Sequence, residues 1–365
     1  MELYFAIIVL LAFFSIGKIK GIKENSELFV VMCLLWIMAS IRSVTVGNDT
    51  AEYYRLFKSV CNGAGFEVYQ GRYEIGYYYL NEIIGHITND FNIFLFIINA
   101  FTYYAYYLFI KKYSSNYILS VLLFLCLGYW GQTVNVIRLQ FAIAACIYAY
   151  ILINENKRIK GIITGVSSVL FQRISFANLL VLLVPKRINK KFYFIASLGT
   201  IIVYVFFGRL ISLVVQYVPY YGRYIQDSSI YIVGTTSLAI LLKMLLSFLI
   251  WIIAISIYNK NKCSIEEEKQ IIIESQINLL YISFLMLFIA TKFNLIDRCE
   301  IFFGLFTILL IPNLLNIIKN KGNRKILGFV FIVIGVLYFI VVNIYRPEWN
   351  HIYPYHTFWY DTRDC

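Results

Sequence analysis

Charged residues are scarce in this chain of 365 residues: Asp, Glu, Lys and Arg together make up 14% of it. Hydrophobic residues make up 60%, and the mean hydropathy is +0.72. A soluble protein of this length could not bury so much apolar surface in one core. The composition therefore excludes the soluble classes and indicates an integral membrane protein.

Signatures of many soluble enzymes and metal proteins are also missing. The seven cysteines include no Cys-x-x-Cys pair, and the three histidines, His86, His351 and His356, lack the spacing of a zinc site. There is no P-loop, dinucleotide fingerprint or Ser-His-Asp arrangement. Linkers and internal repeats are absent too. The sequence thus predicts one polytopic membrane domain over residues 1–365 with no cofactor, and it leaves a divalent metal open although no ligand spacing supports one.

Apolar segments predict about twelve transmembrane helices in an all-α chain. They fall near 2–17, 28–45, 91–110, 117–130, 135–153, 160–171, 174–185, 192–215, 238–258, 277–291, 299–318 and 326–344. The stretch Tyr73–Thr88 is also apolar, but it is short and contains Glu74, Asn81, Glu82 and His86. These features favour a re-entrant or interfacial helix there.

The distribution of lysine predicts the orientation in the membrane. If 73–88 does not cross, the loops 18–27, 111–116, 154–160, 185–191, 259–276 and 319–325 share one side. They hold 19 of the 32 Lys and Arg residues, and sixteen of these are lysines. Because positively charged loops face the cytoplasm, both termini are predicted to be extracytoplasmic. Membrane topology, rather than a nucleic-acid partner, then explains the net charge of +12.

Arginine dominates the other thirteen basic residues. Ten of them are Arg42, Arg55, Arg72, Arg138, Arg173, Arg209, Arg223, Arg298, Arg346 and Arg363. A guanidinium matches phosphate or carboxylate oxygens two at a time, whereas lysine acts as a point charge. The alternative is that these arginines only extend their charged ends to the interface. We favour an anionic ligand at the outer face, formed by the loops at about 43–90 and 209–237.

The stretch Ile41–Lys58 (IRSVTVGNDTAEYYRLFK) places five ionisable groups at a membrane boundary. Asp49 follows the turn Gly47-Asn48, and its carboxylate could accept a proton from a hydroxyl or form a structural ion pair. Tyrosines near the outer boundaries, including Tyr53, are typical of membrane interfaces but could also line a glycan groove.

Three further stretches carry candidate residues. Asn135 and Arg138 are one turn apart at the start of an apolar segment, where a charge costs roughly 2.5–3.5 kcal/mol and usually faces a cavity or partner. Gln172 and Arg173 interrupt two short apolar stretches, which predicts a helical hairpin with both residues at its outer tip. Asp297 and Arg298 lie at another outer boundary, where they could bind ligand or pair with acidic residues.

The order of these features resembles the EpsG family of polysaccharide-polymerising membrane proteins, which is related to the Wzy polymerases. Four stretches carry the resemblance: IRSVTVGNDTAEYYRLF at 41–57, YEIGYYYLNEIIGHITNDFNIF at 73–94, NVIRLQFAIAACIYA at 135–149 and DRCEIFFGLFTILLIP at 297–312. The closing IYPY at 352–355 is also similar. Where such proteins often have a Phe-His pair, this chain has Phe171-Gln172, so a histidine-centred mechanism is in doubt.

The resemblance implies a polymerase at the outer face of a bacterial cytoplasmic membrane, with features like the GT-C glycosyltransferases. It would join oligosaccharide repeat units carried on undecaprenyl pyrophosphate. Asp49 is the expected catalytic base, with Glu74 second. The expected pyrophosphate- and glycan-binding residues are Arg42, Tyr53, Arg72, Asn135, Arg138, Gln140, Arg173, Arg223, Asp297 and Arg298.

Partners expected from the resemblance are the bilayer, the lipid-linked glycans, a chain-length regulator and the flippase of the same pathway, with no nucleic acid. Two other functions stay open. A lipid-linked oligosaccharide flippase would also need an arginine-lined cavity. A membrane O-acyltransferase would need a histidine in a membrane helix, for which His86 is the candidate.

Overall fold

The computed structural model describes residues 24–217, 237–345 and 350–361. Within these ranges the secondary structure is helical, and the β-type pairings are two isolated bridges, Arg42 with Thr357 and Gln70 with Tyr73. The prediction of an all-α polytopic chain is confirmed. The first apolar segment, 2–17, lies outside the described residues, as do Arg223, Arg346 and Arg363.

The helices follow in chain order. The first eight are α1 (Glu24–Ser40), α2 (Thr50–Cys61), α3 (Ile75–Gly85), α4 (Phe91–Tyr113), α5 (Tyr117–Cys126), α6 (Tyr129–Asn135), α7 (Ile137–Asn154) and α8 (Arg158–Ser167). The next six are α9 (Lys190–Val205), α10 (Phe207–Tyr217), α11 (Leu238–Asn261), α12 (Glu267–Ala290), α13 (Asp297–Gly304) and α14 (Thr307–Ile317). The last two are α15 (Lys321–Ile340) and α16 (Phe358–Asp361).

Shorter helical pieces extend or connect these helices. Single turns or runs of 3-10 helix occupy Phe66–Val68, Ser168–Leu170, Arg173–Leu183, Lys262–Ser264 and Asn294–Ile296, and a π-helical turn occupies Val341–Tyr345. Each apolar segment from 28–45 onward coincides with one or two of the helices. A run of apolar residues in a membrane must form helix because its backbone groups find no water to bond with.

Contacts divide the chain into two compact units. The first comprises the described residues of Met1–Phe176 and Asn320–Cys365, and the second comprises those of Ala177–Lys319. The single polytopic domain that the sequence suggests stays a prediction. The loops and helices that carry most of the candidate residues belong to the first unit.

Five described helices are long and apolar enough to cross a membrane. They are α4, α7, α12, α11 with its extension to Ser264, and α15 with its extension to Tyr345. Three bent pairs raise the number to eight if each pair is one span: α5 with α6 (58°), α9 with α10 (76°) and α13 with α14 (41°). The described chain is thus a polytopic membrane protein with five to eight candidate spans.

The bend between α5 and α6 differs from the predicted helix at 117–130. Helix α5 ends at Cys126, and Gly128 adopts a left-handed backbone with φ of 82°, which glycine tolerates without steric cost. The polar sequence of α6, YWGQTVN, concealed this helix because it lacks an apolar period. As a result, Asn135 ends α6 and Arg138 lies in the first turn of α7.

Helix α3 occupies most of the predicted re-entrant or interfacial segment Tyr73–Thr88. Its eleven residues span roughly 16 Å at 1.5 Å per residue, about half of a bilayer core. Gly76 lets it approach the chain at Leu170 closely, since a Cβ there would lie 2.7 Å from the Leu170 carbonyl oxygen. This approach brings Glu74, just before α3, close to the break at Gln172. Its interfacial position stays a prediction.

Candidate active site

The loop between α1 and α2 rests on the junction of α6 and α7. Gly47 has φ of 92°, and a Cβ at this position would lie 3.2 Å from the Val134 carbonyl oxygen and 3.3 Å from the Asn135 Cα. Only glycine therefore fits this turn without strain. Two residues later, the Asp49 amide donates to the Asn135 Oδ1 over 3.3 Å. The loop thus places Asp49 beside the start of α7.

Asp49 is the residue before α2, and it is half-buried. Its carboxylate takes part in no ion pair among the described residues. The structural ion pair that the sequence left open therefore has no counterpart in the described part of the chain.

Glu74 and Arg138 form a buried ion pair behind this loop. The Arg138 Nη1 lies 2.5 Å from the Glu74 Oε2, and the two side chains are 11% and 6% exposed. The same Nη1 donates to the Arg72 carbonyl oxygen over 3.3 Å. The other carboxylate oxygen, Glu74 Oε1, accepts a hydrogen bond from the Arg173 amide over 3.1 Å. One carboxylate thus joins the start of α7 to the break after Gln172.

Two tyrosine rings cover the Arg138 guanidinium. Its centre lies 5.1 Å from the ring centroid of Tyr73 and 5.9 Å from that of Tyr77. Tyr53 packs edge-on against Tyr77 at 5.8 Å between ring centroids. These rings stabilise the cation through their π faces and exclude water from it. Burial raises the pKa of the Tyr73 hydroxyl, although the charges of Arg72 and Arg138 lower it.

The exposed rim of the site is also basic. Arg72 is 55% exposed in its side chain and pairs with Glu52 at 2.6 Å between Nη2 and Oε2. Arg55 pairs with the other oxygen of the same carboxylate. Arg173 is half-buried, beside the Glu74 carboxylate that accepts from its amide. Exposed ion pairs of this kind contribute little stability, so these arginines can exchange partners for an arriving anion.

A comparison with protein families bears on this arrangement. A model described as "EpsG family" matches residues 26–357, nearly the whole chain. This chain belongs to the EpsG family. EpsG is a Wzy-like polymerase family, so the resemblance found in the sequence is confirmed. No curated protein and no solved structure matches the chain.

In this EpsG-family protein, three of the four stretches that carry the resemblance meet in the first unit. Asp49 and Tyr53 come from 41–57, Glu74 from 73–94, and Asn135 and Arg138 from 135–149. The segment at 350–361, which contains IYPY, lies against the same loop. The fourth stretch, 297–312, belongs to the second unit.

Other predicted residues occupy different surroundings. Arg42 is buried: its Nη1 donates to the Ala39 carbonyl oxygen, and its backbone bridges to Thr357. Gln140 is buried and accepts from the Tyr106 hydroxyl of α4. Gln172 is buried as well, although a hairpin tip was predicted. These three side chains fit structural roles in an EpsG-family fold.

Asp297 and Arg298 lie at the start of α13 in the second unit. The Asp297 carboxylate binds the Lys243 Nζ through both oxygens, at 2.9 and 2.8 Å. Asp297 therefore compensates the charge of Lys243, which lies in the apolar helix α11. The predicted roles of Asp297 and Arg298 in binding the substrate stay predictions.

Sequence reasoning missed two contributors to this site. Tyr73 covers Arg138, and the only signal for it is its place between Arg72 and Glu74. The C-terminal segment contains the IYPY noted in the sequence, but its contact with the Asp49 loop is made by backbone hydrogen bonds, for which the sequence gives no signal. Among the described residues, no three His, Cys, Asp or Glu side chains come together as metal ligands. The absence of a cofactor stays a prediction.

Proposed function

We propose that this protein polymerises oligosaccharide repeat units carried on undecaprenyl pyrophosphate at the outer face of the cytoplasmic membrane. Membership of a Wzy-like polymerase family and the apolar helices support a glycosyltransferase in polysaccharide biosynthesis within a membrane. The observation that carries the proposal is that the half-buried Asp49 and the arginines Arg72 and Arg138 surround one residue, Tyr73, because the charges of all three act on its hydroxyl. A carboxylate and cations are the two kinds of group that the reaction needs.

The chemistry is a substitution at an anomeric carbon. A hydroxyl of the acceptor repeat unit attacks the anomeric carbon of the lipid-linked glycan and forms the new C–O bond. The C–O bond to the lipid pyrophosphate breaks, and its electron pair stays on the phosphate oxygen. The acceptor proton passes to a base. Because pyrophosphate is already a good leaving group, the reaction needs a base and cations but no nucleotide.

Asp49 is the proposed base. Asp49 is partly exposed, and its carboxylate takes part in no ion pair among the described residues, which leaves it available to an acceptor hydroxyl. Glu74, the second candidate, is 6% exposed and already accepts from Arg138 and from the Arg173 amide. The geometry therefore favours a positioning role for Glu74 and a proton-accepting role for Asp49.

The pyrophosphate is proposed to bind the more accessible arginines, Arg72 and Arg173. Arg138 is nearly buried, and its bonds to Glu74 and to the Arg72 carbonyl hold both of these arginines in place. Preorganised cations of this kind stabilise charge as it develops on a leaving group. Arg298 of the second unit stays a further candidate for the same role.

The finer architecture is also part of the proposal. It comprises about twelve spans with GT-C-like features, both termini outside and the lysine-rich loops inside. A chain-length regulator and a flippase of the same pathway are the expected protein partners.

Complementation of a deletion strain tests the proposal. The wild-type gene should restore long glycan chains on a gel, whereas Asp49→Asn should leave single repeat units displayed at the surface. Arg72→Ala and Arg173→Ala should shorten the chains, and Arg→Lys should rescue poorly if bidentate phosphate contacts matter. The matched control is Arg158→Ala, an exposed arginine at the predicted cytoplasmic end of α8.

The same experiment separates the alternatives. Accumulation of repeat units on the cytoplasmic face would favour a flippase and contradict the polymerase. Full-length glycan lacking acyl groups would favour an O-acyltransferase, although His86 follows α3 and is exposed rather than within a spanning helix. Wild-type chain lengths from Asp49→Asn would refute its role as the base.

A further inference from the structure

The C-terminal segment, residues 350–358, runs along the loop that leads to Asp49. The Phe358 amide donates to the Ile41 carbonyl oxygen over 3.0 Å, and the Ser43 amide donates to the His356 carbonyl oxygen over 2.9 Å. Further along, the Gly47 amide donates to the His351 carbonyl oxygen over 2.8 Å. The two strands of chain run in opposite directions, like a short antiparallel ribbon.

Side chains attach the same segment to the helices around the loop. Ile352 is 4% exposed and packs on Gly131 of α6, where an added Cβ would overlap the Ile352 Cδ1. The Tyr355 hydroxyl donates to the Met38 carbonyl oxygen near the end of α1. The segment therefore holds the loop on one side while α6 supports it on the other.

This arrangement reaches Asp49 through backbone amides. The Gly47 turn lies between the His351 carbonyl and the end of α6, and the Asp49 amide bonds to Asn135 two residues later. A loop without regular structure keeps a fixed position only where such bonds offset its conformational entropy. Without the hydrogen bonds from the C-terminal segment, the turn before Asp49 would be held from one side, by its contacts with the end of α6.

We propose that the C-terminal segment is a positioning element of the active site, which fixes the turn that carries Asp49. The inference rests on the proposed role of Asp49 as the base. It assigns a catalytic contribution to a segment about 300 residues away in the sequence. A base displaced by about 1 Å can lose roughly 100-fold in rate, so the fit of this segment should govern turnover.

The contact between Gly131 and Ile352 allows a compensating pair of substitutions. In Gly131→Val the added side chain pushes Ile352 and the segment away from α6. In Gly131→Val/Ile352→Ala the lost isoleucine atoms make room for the valine, and the segment can return. The matched control is Gly199→Val, also within a helix, where an added Cβ meets nothing within 4 Å.

Two measurements are made on each variant in lipid nanodiscs. The first is the turnover of lipid-linked repeat units extracted from the deletion strain. The second is the maleimide labelling rate of Asp49→Cys combined with each variant, corrected for the same variant without that substitution. Labelling reports the position of residue 49 without any need for activity. Thermal unfolding of each variant identifies those that have lost the fold.

We expect Gly131→Val to lower turnover about 10- to 100-fold with KM unchanged, to alter the labelling rate, and to be rescued in both by Ile352→Ala. An unchanged labelling rate or unchanged turnover in folded Gly131→Val would overturn the inference. Failure of Ile352→Ala to rescue would overturn it too. If the Asp49→Asn variant forms polymer normally, Asp49 is not the base. The maleimide labelling rate of residue 49 still tests, independently of that result, whether the C-terminal segment positions this loop.

Discussion

The Glu74–Arg138 pair offers the sharpest test of how this site is built. Arg138→Ala removes the cation and leaves the Glu74 carboxylate, 6% exposed, with the Arg173 amide as its described donor. Glu74→Ala instead leaves the guanidinium, 11% exposed, between Tyr73 and Tyr77. Each single substitution therefore leaves one buried charge without its ion-pair partner.

The magnitude follows from that burial. Removing one partner of a buried ion pair typically costs about 3–5 kcal/mol of unfolding free energy, because the remaining charge has lost its compensation. Because an amide donor remains at Glu74 and Arg138 is slightly exposed, we expect each single substitution to lower the unfolding free energy by about 3 kcal/mol, the lower end of this range. The double variant Arg138→Ala/Glu74→Ala removes both charges. Its loss of unfolding free energy should therefore be smaller than the sum of the two single losses by at least about 2 kcal/mol.

Reversible unfolding in mixed detergent micelles measures these free energies for the wild type and three variants. The matched control is the exposed pair Arg55 and Glu52, whose double-variant cycle should give a coupling below about 1 kcal/mol. If the double variant loses the sum of the two single-variant unfolding free energies within about 0.5 kcal/mol, the reasoning is refuted, because independent sites behave in that way. Losses below about 1 kcal/mol each would refute it equally, since they would mean solvated charges.

Two further predictions concern other ion pairs. Glu274, 9% exposed in its side chain, binds Arg187 and the Ile188 amide, so Glu274→Ala should cost about 3 kcal/mol in the same unfolding assay, whereas Glu267→Ala, 80% exposed, should cost nothing measurable. Equal losses would contradict this ranking. The hydrogen bonds from Lys112 and Lys157 lower the pKa of Glu155 to about 2. The stability that Glu155 contributes is therefore present above its pKa in the unfolded chain and is lost as the pH falls towards 2. The difference in melting temperature between wild type and Glu155→Gln should shrink from pH 7 to pH 3, and a constant difference would contradict this prediction.

The Glu74–Arg138 pair also changes how activity data are interpreted. Loss of polymer from Arg138→Ala alone would mix a structural defect with a catalytic one, because the pair joins three segments of the chain. Arg72 and Arg173 are more exposed, so their alanine variants report on the ligand with less damage to the fold. Arg173→Ala is informative in a further way, since the bond to Glu74 uses its backbone amide and survives the substitution.

Several features of this protein were determined by the sequence alone. Runs of apolar residues form helices because a bilayer leaves backbone groups no other partners, and helical structure is found at each run from 28–45 onward. The shortness and polar content of 73–88 predicted a helix unlike the spanning ones, as found at Ile75–Gly85. The motifs around Asp49 and Arg138 were sufficient to indicate the family.

Only the tertiary structure decided which of the candidate residues meet. Asp49, Glu74 and Arg138 come from separate stretches, and no periodicity in a sequence encodes a contact between residues 64 positions apart. The bend after Cys126 arises from one left-handed glycine, and residues 350–358 bind the loop before Asp49 through backbone amides and carbonyls that every residue type has. Local composition therefore determines helices, whereas the assembly of the site depends on long-range packing and on hydrogen bonds without a residue signature.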